Sequence, residues 1–391
     1  MKQAVVLAAG EGQRLRPFTV TRPKAMLSIA DRPILEFTIE ALACNGLRDI
    51  ILVVGYRKEQ VYDYMGSGEK FGVNITYVTQ ETQLGTGHAL SQAGDAVGDE
   101  FLVLSGDNLI DARTIADFVG VGPQAVLVKR VSDPQRYGVV NIVGDEVKDI
   151  VEKPKEARSN LVNTGIYAFT RDVFKFTAST LDLPDVLNAM IKEGYTINAL
   201  ETAGTWLDVV YPWDIISLND AVLRGIETSL GGTIETGVSL KGKVVIGKDT
   251  VVRSGSSVYG PAVIGSGCEI GPHVSVMPAT SIGDNVVISS FTEIRNSVIG
   301  DDVAIGPGTV ISDSVIARGC TIKGRFTALG GTTDVRINGE SPSINVGAII
   351  GEDCKIESNV TAQPGVIVGN FCQVQPMKLI GGRLPDRSLV Y

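Results

Sequence analysis

The chain has 391 residues, 44% of them hydrophobic and 20% charged, with a formal net charge of −9. That length favours two domains and the composition a soluble globular protein. No apolar run approaches the roughly 18–20 residues of a membrane span, and an acidic balance without a dense basic run argues against nucleic-acid binding. Five scattered cysteines (Cys44, Cys268, Cys320, Cys354, Cys372) without a CxxC pair fit reduced thiols in the cytoplasm, not a disulfide frame or a zinc site. Two histidines, His88 and His273, rule out His-rich metal chemistry.

In chain order, the apolar run after Gln3 is too short for a signal segment and leads straight into a glycine loop, so it reads as a first strand over 3–7. A helix is expected over 33–45, then strands over 49–54, 74–78, 101–104 and 124–129. Apolar strands separated by helices indicate an α/β domain with a mostly parallel sheet. Residues 212–227 have helical character and end at Gly231-Gly232, which makes them the expected connector between domains 1–228 and 229–391.

Beyond the connector an aliphatic residue recurs every six positions: Ile246, Val252, Val258, Ile264, Ile270, Val276, Ile282, Ile288, Ile294. Five-residue steps lead from Ile294 to Ile299 and from Ile311 to Ile316, and the period resumes at Ile350, Ile356, Ala362, Val368, Val374 and Ile380. This is the hexapeptide pattern of a parallel β-helix, in which stacked coils bury a column of Val and Ile and draw their stability from their neighbours.

Between these regions lies the chemistry. Residues 7–17, LAAGEGQRLRP, follow the first strand directly. Glycines there let backbone N–H groups approach phosphate oxygens. A Rossmann GxGxxG would need glycine where Leu15 stands, and GK[ST] of a Walker A loop is absent. The loop instead carries its own cation, Arg14, and Lys24 follows in Arg-Pro-Lys. The alternative is a glycine turn followed by a solvated basic segment.

The string LAAGEGQRLRPFTVTRPKAML, with QETQLGTGHAL, SGDN, YGVV, VEKP, NTGIY and TWLDV after it in order, resembles the sugar-1-phosphate nucleotidyltransferase family, to which glucose-1-phosphate thymidylyltransferases and GlmU-type uridylyltransferases belong. The resemblance implies a Rossmann-like α/β nucleotidyltransferase domain followed by an all-β left-handed parallel β-helix, as in bifunctional archaeal enzymes. It also implies attack by the oxygen of a hexose 1-phosphate, such as glucose or N-acetylglucosamine 1-phosphate, on the α-phosphorus of UTP or dTTP. The nucleophile is already anionic, so alignment and charge neutralisation are what the protein must supply.

By position in the motifs, Arg14 is implied to grip the β- and γ-phosphates and Lys24 the α-phosphate and sugar phosphate. Asp107 and Asp208 are the implied Mg²⁺ ligands, although alone Gly106-Asp107-Asn108 is good turn chemistry and Asp208 could simply end a strand. Leu7, Ala8, Gly10, Gly12, Gln80, Gly85 and Thr86 are implied to hold the nucleotide, Gln80 by pairing with a uracil or thymine edge. Gly138, Glu152, Lys153, Asn163 and Gly165 are implied for the sugar. His88 reads as a structural residue at a helix start.

For the β-helix two readings stand. Related bifunctional chains acetylate an amino sugar with acetyl-CoA, which calls for a histidine base and donors for the acetyl oxygen. Here the only candidate is His273, three positions after the inward Ile270 and therefore outward-facing; no histidine follows it. In the irregular insertion over 329–345, Ser341-Pro342-Ser343-Ile344-Asn345 replaces the basic stretch of the bifunctional enzymes. The other reading is a regulatory or oligomerising scaffold, and the resemblance implies a homotrimer.

Overall fold

The computed structural model describes residues 1–178, 180–336 and 342–391. Two compact units result, and the division differs from a single cut after residue 228. One unit comprises 1–11, 22–26 and 33–208; the other comprises 12–21, 27–32 and 209–391.

In the first unit, β1 (Gln3–Ala8) lies between β2 (Asp49–Val54) and β4 (Glu100–Ser105), with β3 (Asn74–Thr79) outside β2, all parallel. Alternate residues of β1 serve two cores. Ala4, Val6 and Ala8 pack with α1 (Ile34–Cys44) and α3 (Ala112–Val119), whereas Val5, Leu7 and Ala9 pack with α2 (Thr86–Gln92) and α4 (Leu183–Lys192). A strand covered on both faces therefore reads as an unbroken apolar run.

Beyond β4 the sheet is mixed, a difference from the mostly parallel expectation. The order is β3-β2-β1-β4-β9-β6-β10-β8-β7, where β6 is Ala125–Arg130, β7 Gly138–Val143, β8 Glu146–Glu152, β9 Leu161–Thr170 and β10 Asn198–Glu201. Strand β9 runs antiparallel to both β4 and β6. Strands β7 and β8 are antiparallel because a two-residue turn at Gly144 (φ 63°) joins them, which admits only a hairpin. Two short strands, β5 (Asn108–Ile110) and β11 (Trp206–Asp208), pair antiparallel apart from the main sheet.

The second unit contains the left-handed parallel β-helix. Its strands stack into three parallel sheets of nine, nine and eight strands among the described residues. Register follows the aliphatic period: Ile246 pairs with Ile264, Ile264 with Ile282, Ile282 with Ile299 and Ile299 with Ile316. The inward column is fully buried. Most corners turn on a residue with left-handed φ, and these recur in columns, for example Gly255, His273, Phe291 and Gly308, or Asp249, Gly267, Asn285 and Asp302. Glycine, Asn and Asp accept that conformation most easily. The five-residue steps each remove one corner residue, ahead of Asn296 and of Asp313, and leave the column intact. Cys268, Cys320, Cys354 and Cys372 are free, buried and stacked in that core, so they are packing residues; burial pushes the Cys268 thiol up to about 11. The insertion is a hairpin of Gly331–Asp334 with Ser343–Val346; Ser341 lies outside the described residues.

The expected connector is helix α5 (Asp214–Leu223), which packs on the coils: Leu223 joins Ala30 and Val263 in one cluster. Buried Asn219 accepts from the Ala30 N–H at 2.9 Å and donates to the Ala279 carbonyl at 3.1 Å. Among the described residues no helix is long and apolar enough to cross a membrane.

Beside Ala30, Asp31 faces Asp284 and Asp301 of the β-helix. Burial, then those two carboxylates, push its pKa up from 3.8 to about 7. Because the folded-state pKa is raised, the ionised form opposes folding, and stability declines as pH rises from about 4 to 7. Asp31→Asn is therefore expected to raise the melting temperature more at pH 8 than at pH 4.5, a difference read by thermal denaturation at the two pH values.

Candidate active site

Pairing of β5 with β11 sets Asn108 opposite Asp208 and so brings Asp107 and Asp208 together across a hundred residues of sequence. Both carboxylates converge on one ammonium. Lys24 Nζ lies 2.7 Å from Asp107 Oδ2 and 3.3 Å from Asp208 Oδ1. Asn108 Nδ2 also donates to Asp208 Oδ1, at 3.1 Å. Burial by itself would lower the Lys24 pKa, but Asp107 and Asp208 outweigh it and hold the amine well above its ordinary value. The lysine is thus a fixed cation at neutral pH.

Trp206 anchors this corner, its indole N–H donating 2.8 Å to the Thr164 carbonyl. On the other side the Gly106 N–H donates to the Leu7 carbonyl at 2.9 Å, tying the turn before Asp107 to the end of β1. A side chain at Gly106 would press on Leu35, Ala8 and Val6 at 3.0–3.1 Å, which explains the glycine of SGDN. Leu7 and Ala8 are buried where β1 ends, Gly10 is exposed, and Gly12 has φ 72°. Gly12 and the half-buried Arg14 lie in the segment 12–21 that belongs to the β-helix unit.

Two donor–acceptor systems occupy the residues expected at the base. Gln80 is buried; its Nε2 lies 3.1 Å from the Gly85 carbonyl and 2.9 Å from His88 Nδ1. His88 therefore orients Gln80, a structural role consistent with its reading from sequence. Gly85 (φ 141°) opens α2, and a Cβ there would stand 2.5 Å from the Leu181 carbonyl oxygen. Thr86 N–H and hydroxyl both meet Asp182 Oδ1, and the Leu183 N–H donates to the Thr86 hydroxyl. Thr86 thus locks α2 against the start of α4, a contact with no local signal in the chain.

The residues expected for the sugar form one cluster on β7, β8 and β9. Gly138 pairs with Glu152, and a Cβ at Gly138 would lie 2.9 Å from Glu152 Oε2 and 3.6 Å from Asn163 Cβ. Burial, opposed by Lys153 and assisted by Asp182 and Asp185, raises the Glu152 pKa. Lys153 Nζ is 4.0 Å from Glu152 Oε1. Asn163 is clamped: its Nδ2 donates to the Tyr167 hydroxyl at 2.7 Å and its Oδ1 accepts from the Gly165 N–H at 3.0 Å, across a bulge in β9 where Gly165 takes φ 76°. Tyr167 and Asn108 were missed by sequence reasoning. Both stand inside quoted strings, NTGIY and SGDN, but a tyrosine in a strand and an Asn in a turn carry no local signal.

Asp107 and Asp208 fit a divalent cation: two carboxylates that already converge on one positive group suit Mg²⁺, whose remaining ligands come from substrate phosphates and water. Among the described residues no third acidic, His or Cys ligand joins them.

The geometry agrees with what this chain is similar to. The nucleotidyl transferase family matches residues 3–225, and the GMPPB C-terminal domain matches 258–341. Over 99% of this chain and 97% of its relative, the sequence is 33% identical to a Methanocaldococcus jannaschii protein named bifunctional protein GlmU. It is 33% identical, over 100% of this chain and 98% of the relative, to the bifunctional sugar-1-phosphate nucleotidylyltransferase/acetyltransferase of Sulfurisphaera tokodaii. A glucose-1-phosphate thymidylyltransferase from Streptomyces antibioticus is 35% identical over 73% of this chain and 84% of that one. A Bacillus anthracis crystal structure described as a glucose-1-phosphate thymidylyltransferase superposes with a TM-score of 0.53 at 30% identity, covering 58% of this chain and 97% of that one.

The Gly85 geometry yields a stability prediction. Gly85→Ala forces a left-handed φ on a side chain that meets the Leu181 carbonyl, and is expected to cost about 2 kcal/mol or more; urea denaturation of the full chain measures it.

Proposed function

The chain belongs to the nucleotidyl transferase family, and from that premise we propose that it joins UTP or dTTP to a hexose 1-phosphate, releasing pyrophosphate. The observation that carries this reading is the Lys24 ammonium held between Asp107 and Asp208. A sugar-phosphate oxygen forms the new bond to the α-phosphorus while the bond to the β-phosphate oxygen breaks and pyrophosphate departs. No side chain has to remove a proton, so the protein's task is to align phosphates and offset their charge.

Lys24 supplies a permanent cation for the α-phosphate and the sugar phosphate, and Arg14 one for the β- and γ-phosphates. Asp107 and Asp208 would hold Mg²⁺, which when bound neutralises phosphate charge. Leu7, Ala8, Gly10 and Gly12 offer backbone to the nucleotide. With Gln80 Nε2 committed to Gly85 and His88, its Oε1 is the atom to accept from N3–H of uracil or thymine. Gly85 and Thr86 shape that wall by fixing α2. Glu152 and Asn163 suit sugar hydroxyls, Gly138 and Gly165 give them room, and Lys153 adds a cation nearby.

For the β-helix we propose a scaffold role in the cytoplasm, assembling a homotrimer through its flat faces. Val287, a strand residue 44% exposed, provides apolar surface on one such face. Acetyl transfer with acetyl-CoA is the alternative, and the Sulfurisphaera tokodaii relative named as an acetyltransferase supports it; the packing of the one candidate base weighs against it. His273 stacks face to face on Phe291, centroids 5.5 Å apart, in the corner column above Gly255, so its ring is a coil-stacking element.

Incubation with Mg²⁺, UTP or dTTP and the 1-phosphates of glucose, glucosamine and N-acetylglucosamine is expected to release pyrophosphate with at least one pair; silence across the matrix would sink the reading. Lys24→Ala and Asp107→Asn are each expected to cut turnover by about 10²–10³-fold with the circular dichroism spectrum unchanged. With acetyl-CoA and glucosamine 1-phosphate, no free thiol is expected above background; enzyme-dependent thiol release would refute the scaffold-only reading.

A further inference from the structure

The ladder that brings Asp107 and Asp208 together pairs only three residues on each side: Asn108 with Asp208, Leu109 with Leu207 and Ile110 with Trp206. So short a pairing has little stability of its own, yet the placement of both acids depends on its register. A slip by one residue would turn Asp208 to the opposite face. Among the described residues no third acidic, His or Cys side chain joins the two, so a cation between them depends on both.

A side chain closes the far end of this ladder. One step beyond the Ile110–Trp206 pair, the same register sets Asp111 opposite Thr205, and there the Thr205 N–H donates to Asp111 Oδ2 at 3.0 Å. The other oxygen, Oδ1, caps α3 by accepting the Thr114 N–H at 2.8 Å. The buried Thr114 hydroxyl lies 2.8 Å from Oδ1 and 2.7 Å from the Thr205 carbonyl oxygen. One carboxylate thus joins the start of α3 to the start of β11. The helix is a firm support, because its Ile115 and Phe118 lie in the same core as Trp206. The chain before β11 also lies close on that helix: a Cβ at Gly204 would stand 2.6 Å from the Thr114 nitrogen and 2.9 Å from Asp111 Oδ1. Burial by itself would raise the Asp111 pKa, but the hydrogen bonds from Thr114 and Thr205 outweigh it and hold the carboxyl below its ordinary range. A helix cap needs one acceptor, and serine supplies it about as well as aspartate. The second oxygen is surplus to the cap.

We propose that Asp111 is a positioning residue for the cation site: its Oδ2 closes the β5–β11 ladder and so holds Asp208 in line with Asp107. This rests on the nucleotidyl-transfer reading, in which those two acids hold Mg²⁺, and adds to it. Asp111 acts through Asp208 and not on the cation. Without Oδ2 the segment stays folded, since Lys129 Nζ still donates to the Gly204 carbonyl at 2.6 Å and the Trp206 indole to Thr164. The consequence is a shift of the strand start, as the half-buried Thr205 N–H turns to water for its acceptor. A shift is enough. Asp208 lies three residues along the same short strand, and Mg²⁺ demands near-ideal octahedral geometry at about 2.0–2.1 Å, whereas Ca²⁺ accepts flexible geometry at about 2.3–2.6 Å.

The test compares Asp111→Ser, which keeps the cap and loses Oδ2, with Asp111→Ala, which loses both, and with Asn45→Ala. Asn45 Nδ2 donates to the Ala41 and Ala112 carbonyls, each at 2.8 Å, so its loss loosens the same end of α3 without touching the ladder. Titrating the Mn²⁺-loaded full chain with Mg²⁺ or Ca²⁺, and reading released Mn²⁺ by its electron paramagnetic resonance signal, gives the dissociation constant of each ion. Asp111→Ser is expected to weaken Mg²⁺ about tenfold and Ca²⁺ no more than about twofold. Asp111→Ala should weaken Mg²⁺ to the same extent at a lower melting temperature, and Asn45→Ala should leave both ions at wild-type values. Wild-type Mg²⁺ affinity in Asp111→Ser, equal weakening of Mg²⁺ and Ca²⁺, or a tenfold loss in Asn45→Ala overturns the proposal. A wild-type chain that takes up no Mn²⁺ overturns the cation site and the positioning role with it, whereas wild-type uptake with unaffected Asp111 variants overturns only the latter.

Discussion

A partly buried ammonium group needs counter-charge, and Lys24 obtains it from two carboxylates at once. Removing a charge from water is unfavourable unless a partner in good geometry compensates, so the corner formed by β5 and β11 has one stable arrangement around that lysine. The main-chain pairing places the acids, Asn108 steadies Asp208, and the Gly106–Leu7 bond ties the turn to the sheet. The interaction that makes the corner stable also makes it electrostatically suited to phosphates: one fixed cation beside two acidic groups able to hold another.

Around this centre the first unit divides its polar groups between support and presentation. Gln80 is oriented by His88, α2 is locked by Asp182 and Leu181, and Asn163 is clamped by Tyr167 and Gly165. Gln80 and Asn163 are held by partners within eight residues and Thr86 by one 96 residues away, and each such bond lowers the freedom that a bound substrate would otherwise have to remove. The β-helix meets a different constraint. Its coils have little stability alone, so every coil must satisfy the next through the aliphatic column and through corner side chains that accept the N–H groups of a neighbouring coil. Asn370 belongs to that ladder, accepting the Glu352 N–H, and reaches beyond it to donate to the Pro17 carbonyl.

Much of this was legible in the chain. The hexapeptide period announced the β-helix because an inward position admits only an aliphatic residue, coil after coil. The five-residue steps were readable too, although their meaning, a corner shortened by one residue ahead of Asn296 and Asp313, required the backbone. Apolar runs marked the parallel strands of the first unit and Ala125–Arg130, but not β7, β8 and β9: β8 reads EVKDIVE and buries only Val147 and Ile150, so no apolar run announces it. The helix at 214–223 was foreseen as a connector, whereas its buried Asn219 and Leu223 bind it to the coils.

The chain by itself determined the residue types of the site and their order: a glycine loop with Arg14, then Lys24, Asp107 and Asp208, chosen by the chemistry of phosphates. It also determined the β-helix, because a repeat is a property of sequence. Only the tertiary structure decided which groups meet. Asp107 and Asp208 converge on Lys24 through a strand pair closed across a hundred residues, Thr86 meets Asp182 at 96 residues' separation, and Pro17 finds Asn370 near the far end of the chain. Local sequence fixes what a residue can donate, accept or bury; long-range pairing alone fixes its partner, because that partner's distance in space is unrelated to its distance along the chain.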